Sequence, residues 1–446
     1  MRQAVVVRTF LVCVLLAGAC FPPAPVSWAE VRGEIVGPGR RRLPVAVASL
    51  KWLGGERRRA EADGFVSALT RDLELSGLFH VIDSRAHIED PQTSGTTAAD
   101  IDFEDWAALG AMGLFRGGYH GTETGLAIEG RYFDVVKRES RGGRRLEGTS
   151  DGVGRMAHRM ADAVLELVTG RLGPFDSRIA FVSDRDSHFR ELYEYGFDGS
   201  IRRLTRHRSV TMAPAWHPGA AVLAFTTFRE RRPALFSIDL ASGGETRLTS
   251  RLGVNVGAAF SPDGRTLLLA REDGGNTDIY LLDPSTGRSK RLTKHWAIDV
   301  DPSWSPDGRR IAFCSSRGGE PQIYTMKADG GGVRRLSFEG DYNCSPAFSP
   351  DGRTIAFAGR KDGRFQIFTV PAAGGRTTQL TFSGANEDPA WSPDSRYIAF
   401  SSGPSGERKI HMVDASGRWR HQLTGGNGDD TSPSWSTRRG APGGVR

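Results

Sequence analysis

Cysteine is scarce, with four residues in 446, and two of these, Cys13 and Cys20, fall in or beside the apolar stretch at the N-terminus. Cys314 and Cys344 remain, and no CxxC spacing occurs, which excludes a disulfide framework. A pair of free buried thiols is the plainer reading; an oxidising compartment permits a bridge. Long apolar runs are also missing. Beyond the N-terminus no segment approaches about 18 apolar residues, so the mature chain is expected to be soluble or at most lipid-anchored. Metal signatures are absent: the ten His are dispersed, without HExxH or a pair at ligand spacing. Gly330-Gly331-Gly332 is not followed by Lys-Ser/Thr, so it is no phosphate cradle. No metal and no cofactor is expected. Hydrophobic residues at 38% and charged residues at 25% exclude a disordered chain.

Glycine, by contrast, is abundant. Its 56 residues, with 23 Pro, disfavour an all-helical fold and favour tight turns. Net charge is +7, and short Arg clusters occur at 40–42, 57–59 and 144–145. They are scattered and lack interleaved aromatics, so they read as solvated surface rather than a nucleic-acid site.

Residues 1–29 read as an export signal. Arg2 and Arg8 precede the apolar stretch 9–19, and Ser27-Trp28-Ala29 places small residues for cleavage before Glu30. Ala17-Gly18-Ala19 before Cys20 leaves a lipoprotein signal as the rival reading, although the usual Leu three residues before the Cys is absent. Residues 30–42 form an arm with the apolar residues Val31, Ile35 and Val36 among Gly33, Gly37 and Gly39. Such a segment cannot build a core and is expected to stay mobile.

Residues 43–173 read as an α/β domain. Strands are expected at 43–50, 79–82, 113–119 and 126–136, and helices at 60–76, 103–109 and 153–169. Residues 174–177 form a linker. From 178 to 437 one phrase repeats. Its aromatic falls at Trp216, Phe260, Trp304, Phe348, Trp391 and Trp435, steps of 44, 44, 44, 43 and 44. Ile-Ala-Phe-like, Ile-Tyr-like and Arg-Leu-Thr-like runs keep the same beat. Four short strands per unit, six times over, is a six-bladed β-propeller. The first unit lacks a Pro-x-Trp strand before Arg178, and the last, Pro433-Ser434-Trp435, lacks its followers. These halves complete one blade and remove an open edge. Residues 438–446 are a tail.

Catalysis finds little support. Gly148-Thr149-Ser150-Asp151-Gly152 matches G-x-S-x-G, but the run before it is Arg-rich and no hydrolase-sized domain surrounds it. The chain is not expected to be an enzyme. Asp-Gly pairs follow the blade period and read as hairpin turns rather than Ca²⁺ loops. Binding is better supported. The connections entering each Pro-x-Trp strand emerge on one face around the channel, and several are acidic. His295, Asp299, Asp301, Asp341, Asn343, Glu387 and Asp388 are the candidate partner-binding residues there.

An exported α/β domain followed by six P-x-W-S-P-D-G…I-A-F…I-Y…R-L-T units resembles the TolB family of the periplasmic Tol–Pal system. Glu30-Val31-Arg32, Pro44-Val45-Ala46-Val47, Lys51-Trp52 and the end just after Pro433-Ser434-Trp435 carry the resemblance. It implies a periplasmic, non-enzymatic adaptor that associates with the outer membrane through its partners. Such proteins bind a Pal-like peptidoglycan-associated lipoprotein through the propeller. They bind a TolA-like inner-membrane protein through the arm, here Glu30, Val31, Arg32, Ile35 and Val36. The system supports outer-membrane invagination at division and envelope integrity, and colicins exploit it. Gly33-Glu34 interrupts the alternating apolar pattern that the family shows after E-V-R. The competing reading is an exported propeller hydrolase or lyase acting on envelope polysaccharide.

Overall fold

The computed structural model describes residues 42–90, 93–249 and 255–439. The export signal, the arm through residue 41 and the tail from 440 lie outside them. Glu30, Val31, Arg32, Ile35 and Val36 are therefore not among the described residues.

The α/β domain runs Leu43–Val47 (β1), Lys51–Gly55 (β2), Arg59–Leu75 (α1), Phe79–Val81 (β3), Phe103–Ala108 (α2), Gly113–Gly121 (β4), Gly125–Asp134 (β5), Glu139–Thr149 (β6) and Val153–Thr169 (α3). β1 lies between β3 and β4 and is parallel to both, whereas β4, β5 and β6 are antiparallel. β2 runs parallel to the far half of β4. In α1, Phe65, Leu69 and Leu73 recur every fourth residue and form one buried stripe. With α3 they cover one sheet face against Phe115 and Ile128. The period of two along β4 sends Leu114 to the other face, where it meets Phe103, Trp106 and Phe133.

Two strands were not expected. The strand foreseen at 43–50 ends at Val47, and β2 follows it. β6 was read only as an Arg-rich run; it is an edge strand, exposed along most of its length.

Among the described residues, six four-stranded antiparallel sheets follow. The first blade unites Asp430–Trp435 with Arg178–Ser183, Glu191–Gly196 and Ile201–Arg203, with Trp435 opposite Ile179. The last strand among the described residues thus closes the ring, as the repeat phase implies. The second to sixth blades begin at Thr211, Asn255, Asp299, Asn343 and Asn386.

Each word of the repeat has a physical task. In Ser-Pro-Asp-Gly, the Ser hydroxyl donates to the Asp carboxylate: Ser261 to Asp263 and Ser305 to Asp307 at 2.6 Å, Ser349 to Asp351 at 2.7 Å. Gly264, Gly308 and Gly352 then take φ of 73°, 67° and 70°, where a Cβ is disfavoured. In Arg-Leu-Thr, the hydroxyl replaces a ladder acceptor. Thr205, Thr249, Thr293, Ser337, Thr381 and Thr424 each accept the N–H of the neighbouring third strand at 2.9–3.1 Å. The Arg or Gln two residues earlier donates back to the carbonyl of that Thr or Ser, as Arg203 does to Thr205 at 2.8 Å and Gln379 to Thr381 at 2.7 Å. Two of the repeat's Trp rings tie neighbouring blades together. Trp216 Nε1 donates to Ser434 O at 2.9 Å and Trp391 Nε1 to Ala347 O at 3.0 Å.

Cys314 and Cys344 form a disulfide between the fourth and fifth blades, which corrects the free-thiol reading. The geometry follows from the repeat. Cys314 is the penultimate residue of the second strand of its blade, Arg310–Ser315, where the innermost strand of the next blade passes alongside.

The α/β domain packs against the first and sixth blades at the end that carries the Ser-Pro-Asp-Gly turns. Tyr397 Oη donates to Ser76 O at 2.7 Å, and Trp419 lies over Gly77. Phe175 and Phe197 meet edge to face with centroids 5.3 Å apart. Phe65, Leu69 and Met156 of one domain and Phe197, Tyr397 and Met412 of the other belong to a single apolar core. The opposite end of the propeller carries the connections that enter the innermost strands.

Candidate docking face at the channel mouth

Every innermost strand breaks register once, two residues after its start. At each break one residue takes a left-handed φ: Ala213 50°, Gly257 65°, Asp301 51°, Ser345 52°, Asp388 56° and Ser432 50°. Six such bulges, one per blade, ring the channel. Five are not glycine, although the conformation is costly for other residues. Ser345 Oγ donates to Asp301 Oδ2 at 3.2 Å, and Ser432 Oγ donates to Asp388 Oδ2 at the same distance. The protein mass around the channel desolvates the Asp301 carboxyl and raises it above the usual carboxylate range, although the residue stays open to the channel. Burial, Glu387 and Asp301 together push Asp388 up to about 6. Two carboxylates facing one narrow channel cannot both ionise freely.

The sequence-predicted residues divide into two groups. Asp301, Asp388, Asp341, Glu387 and His295 keep side chains at the face. Asp341 is exposed and pairs with Arg360 at 2.9 Å; Glu387 is half-buried and pairs with Arg408 at 3.2 Å. The Arg360 hydrogen bonds hold the Asp341 carboxyl below its ordinary range. His295 is half-buried, its Nδ1 accepting from the Ala297 N–H at 3.1 Å.

Asp299 and Asn343, by contrast, are fully buried. Asp299 takes two hydrogen bonds from Arg317, at 2.8 and 3.0 Å, and that guanidinium lies 5.3 Å from the Phe313 and Tyr324 ring centroids. Asp430 and Arg185 repeat the device in the first blade at 2.6 Å. Asn343 donates to Gln322 Oε1 at 2.8 Å, as Asn386 does to Gln366. These positions all begin innermost strands, so the blade period accounts for them. The sequence carried that signal: Thr211, Asn255, Asp299, Asn343, Asn386 and Asp430 sit on the repeat.

Sequence reasoning missed the apolar part of the face. Trp296, Phe338 and Phe382 are 77%, 71% and 75% exposed on the three connections that flank the fourth and fifth blades. Phe338 and Phe382 each follow the hydroxyl residue of Arg-Leu-Thr, where the structural repeat requires no ring. That break in the pattern was visible in the sequence.

Ser150 is preceded by a strand, which was not expected, and followed by the helix expected at 153–169. Its hydroxyl, however, meets Arg58 and Glu61, each at 3.3 Å, rather than a general base imidazole. Among the described residues no group of three or more His, Cys, Asp or Glu is placed to hold a metal ion.

Comparison with known proteins bears on the whole architecture. The sequence profile of the TolB beta propeller domain matches residues 165–439, and that of the TolB amino-terminal domain matches residues 31–141. The Tol-Pal system protein TolB of Syntrophotalea carbinolica is 41% identical over 208 residues, 46% of this chain and 47% of its own. That of Desulfosudis oleivorans is 36% identical over 241 residues, 54% of each. The chain thus spans about half the length of these curated relatives in the matched regions. The crystal structure of TolB from Acinetobacter baumannii superposes with a TM-score of 0.78 at 27% identity, covering 89% of this chain and 97% of that one. With both domain profiles matched in order and the fold shared end to end, the chain belongs to the TolB family of Tol-Pal system proteins.

Proposed function

We propose that the chain is a non-enzymatic adaptor of the periplasm that joins two envelope partners. A Pal-like peptidoglycan-associated lipoprotein docks on the channel-mouth face. A TolA-like inner-membrane protein takes the arm, with Glu30, Val31, Arg32, Ile35 and Val36 as its contacts. The arm suits strand addition to a partner's sheet edge, where main-chain hydrogen bonds supply affinity. Through these contacts the protein serves outer-membrane invagination at division and envelope integrity.

One observation carries the reading. The free end of the propeller bears three exposed rings and a pair of channel carboxylates at places where the blade repeat needs neither. Exposed aromatics beside polar groups are the composition of a protein-docking patch. The test is a titration of the organism's own Pal-type domain, without its lipid, and of a TolA-type domain. Phe338→Ala/Phe382→Ala is expected to weaken Pal-type binding at least tenfold and to leave TolA-type binding unchanged. Removal of residues 30–37 is expected to do the reverse. Equal affinities across all three proteins would defeat the reading.

A further inference from the structure

The first two blades give the same end of the propeller a second character. Arg190 closes the connection into Glu191–Gly196 of the first blade. Arg206 and Arg208 lie on the connection from Ile201–Arg203 to Thr211–Trp216, and Arg231 and Arg232 on the connection from Val222–Thr227 to Ala234–Asp239. These three connections are tied side by side: the Thr211 N–H donates to Arg190 O, and the Phe228 N–H donates to Val210 O, each at 3.0 Å. Five guanidinium groups are thereby collected on one stretch of rim, and all five residues are exposed.

Three neighbouring glutamates are already committed to other cations, and Asp186, on the connection of Arg190, accepts from Tyr193 Oη at 2.9 Å. Glu191 pairs with Arg203 at 3.2 Å, and Glu245 pairs with His207 at 2.8 Å and with Arg229. Glu230 pairs with Arg247 at 2.9 Å. Among the described residues, no carboxylate forms an ion pair with any of the five rim arginines. Two of them, Arg208 at φ 52° and Arg231 at φ 67°, also hold left-handed backbone that favours glycine or asparagine. Their backbone N–H groups are tied, Arg208 to Glu191 Oε1 at 2.8 Å and Arg231 to Phe228 O at 2.9 Å, but among the described residues neither guanidinium makes an ion pair to offset the strain.

The rim opposite these blades carries Trp296, Phe338 and Phe382, and the channel between holds Asp301 and Asp388. The face thus gathers five arginines on one side, with Phe189 and Val210 partly exposed among them, its three most exposed rings on the other, beside Lys294 and Arg364, and two carboxylates at its centre. A uniformly anionic sheet of lipid headgroups would set the channel carboxylates against like charge. A folded protein with its own mixed pattern would not. Arginine forks match carboxylates bidentately.

We propose that the rim formed by Arg190, Arg206, Arg208, Arg231 and Arg232 is a docking surface for an acidic patch on the lipoprotein partner, and that it sets the partner's rotational orientation over the channel. This rests on the docking reading above and adds which side of the face receives which side of the partner. Complementary charge at a rim acts chiefly on encounter rate and is screened by salt.

The experiment is stopped-flow and equilibrium binding of the lipid-free Pal-type domain to the full mature chain, at low and high salt. For R206E/R231E/R232E, the association rate is expected to fall roughly tenfold at low salt and to converge on wild type at high salt. R206Q/R231Q/R232Q, with a milder loss, guards against misfolding of the charge-reversed protein, and thermal midpoints report on folding. Wild-type binding that neither triple substitution nor salt alters overturns this inference and leaves the docking reading intact. Absence of wild-type binding overturns both. Phosphatidylglycerol vesicles are the further probe: binding to them that the triple substitution abolishes, with Pal-type affinity unchanged, would assign the rim to lipid and overturn the proposal.

Discussion

Asp388 shows how one residue position joins structure to solution behaviour. In the folded chain its carboxyl titrates at about 6, against about 3.9 for an unperturbed aspartate. The folded state therefore binds the proton more tightly than the unfolded chain. The resulting stabilisation is complete below about pH 4 and is lost as pH rises through about 6. Asn in its place keeps an acceptor for Ser432 and carries no charge. Asp388→Asn is expected to match wild type near pH 4 and to exceed it at pH 7.5 by about 1–2 kcal/mol, after allowance for solvent in the channel. Urea unfolding at both pH values measures this; a neutral-pH advantage for wild type would contradict the burial argument. Asp299, two positions from Asp301, is instead fully buried and paired with Arg317 at 2.8 Å. Charge reversal there would leave a buried cation unpaired, so Asp299 is unsuited to testing a docking surface.

At the scale of elements, legibility followed the source of each element's stability. The blades were readable because they draw on the same local chemistry: a hydroxyl that replaces a ladder acceptor, a turn that favours Gly, and an aromatic at one fixed position of the innermost strand. Those requirements recur with the fold, so they recur in the sequence. β6 was not readable because it is an edge strand with one buried residue, Leu146, and its alternation is nearly erased. β2 was hidden by its brevity and by Gly54 and Gly55. The site divided along the same line. Residues on the repeat beat, such as Asp299 and Asn343, serve the blade, whereas Phe338 and Phe382 interrupt the hydrophilic texture of their connections. The disulfide was undecidable from spacing, because it depends on two blades meeting. Its contribution is testable. Cys314→Ser/Cys344→Ser is expected to lower unfolding free energy by about 2–4 kcal/mol, since the bridge closes a separation of 30 residues in the unfolded chain. A dithiothreitol titration of wild type should reproduce the shift, and an unshifted midpoint in both would show that the bridge adds nothing.

For the whole molecule, the decisive feature is that the α/β domain and the propeller share one core rather than meeting across a polar seam. Phe65 and Leu69 of α1 pack in the same cluster as Phe197, Tyr397 and Met412 of the propeller. Gly77, at φ 68°, brings the end of α1 against Trp419, and a Cβ there would lie 2.7 Å from ring carbons. Gly110 has a similar φ of 78°, but no atom lies within 4 Å of its would-be Cβ. The two glycines therefore separate backbone strain from domain contact. Gly110→Ala is expected to cost about 1 kcal/mol, from strain alone. Gly77→Ala is expected to cost about 2–4 kcal/mol, because Trp419 must also move. If the shared core makes the domains one cooperative unit, wild type melts in a single calorimetric transition. Gly77→Ala then lowers that transition more than Gly110→Ala does, without splitting it. Two transitions in wild type would mean that each domain is held by its own core. A propeller face and an N-terminal arm could then be occupied without either partner sensing the other. A single transition supplies the physical link that reciprocal coupling between the two binding events requires.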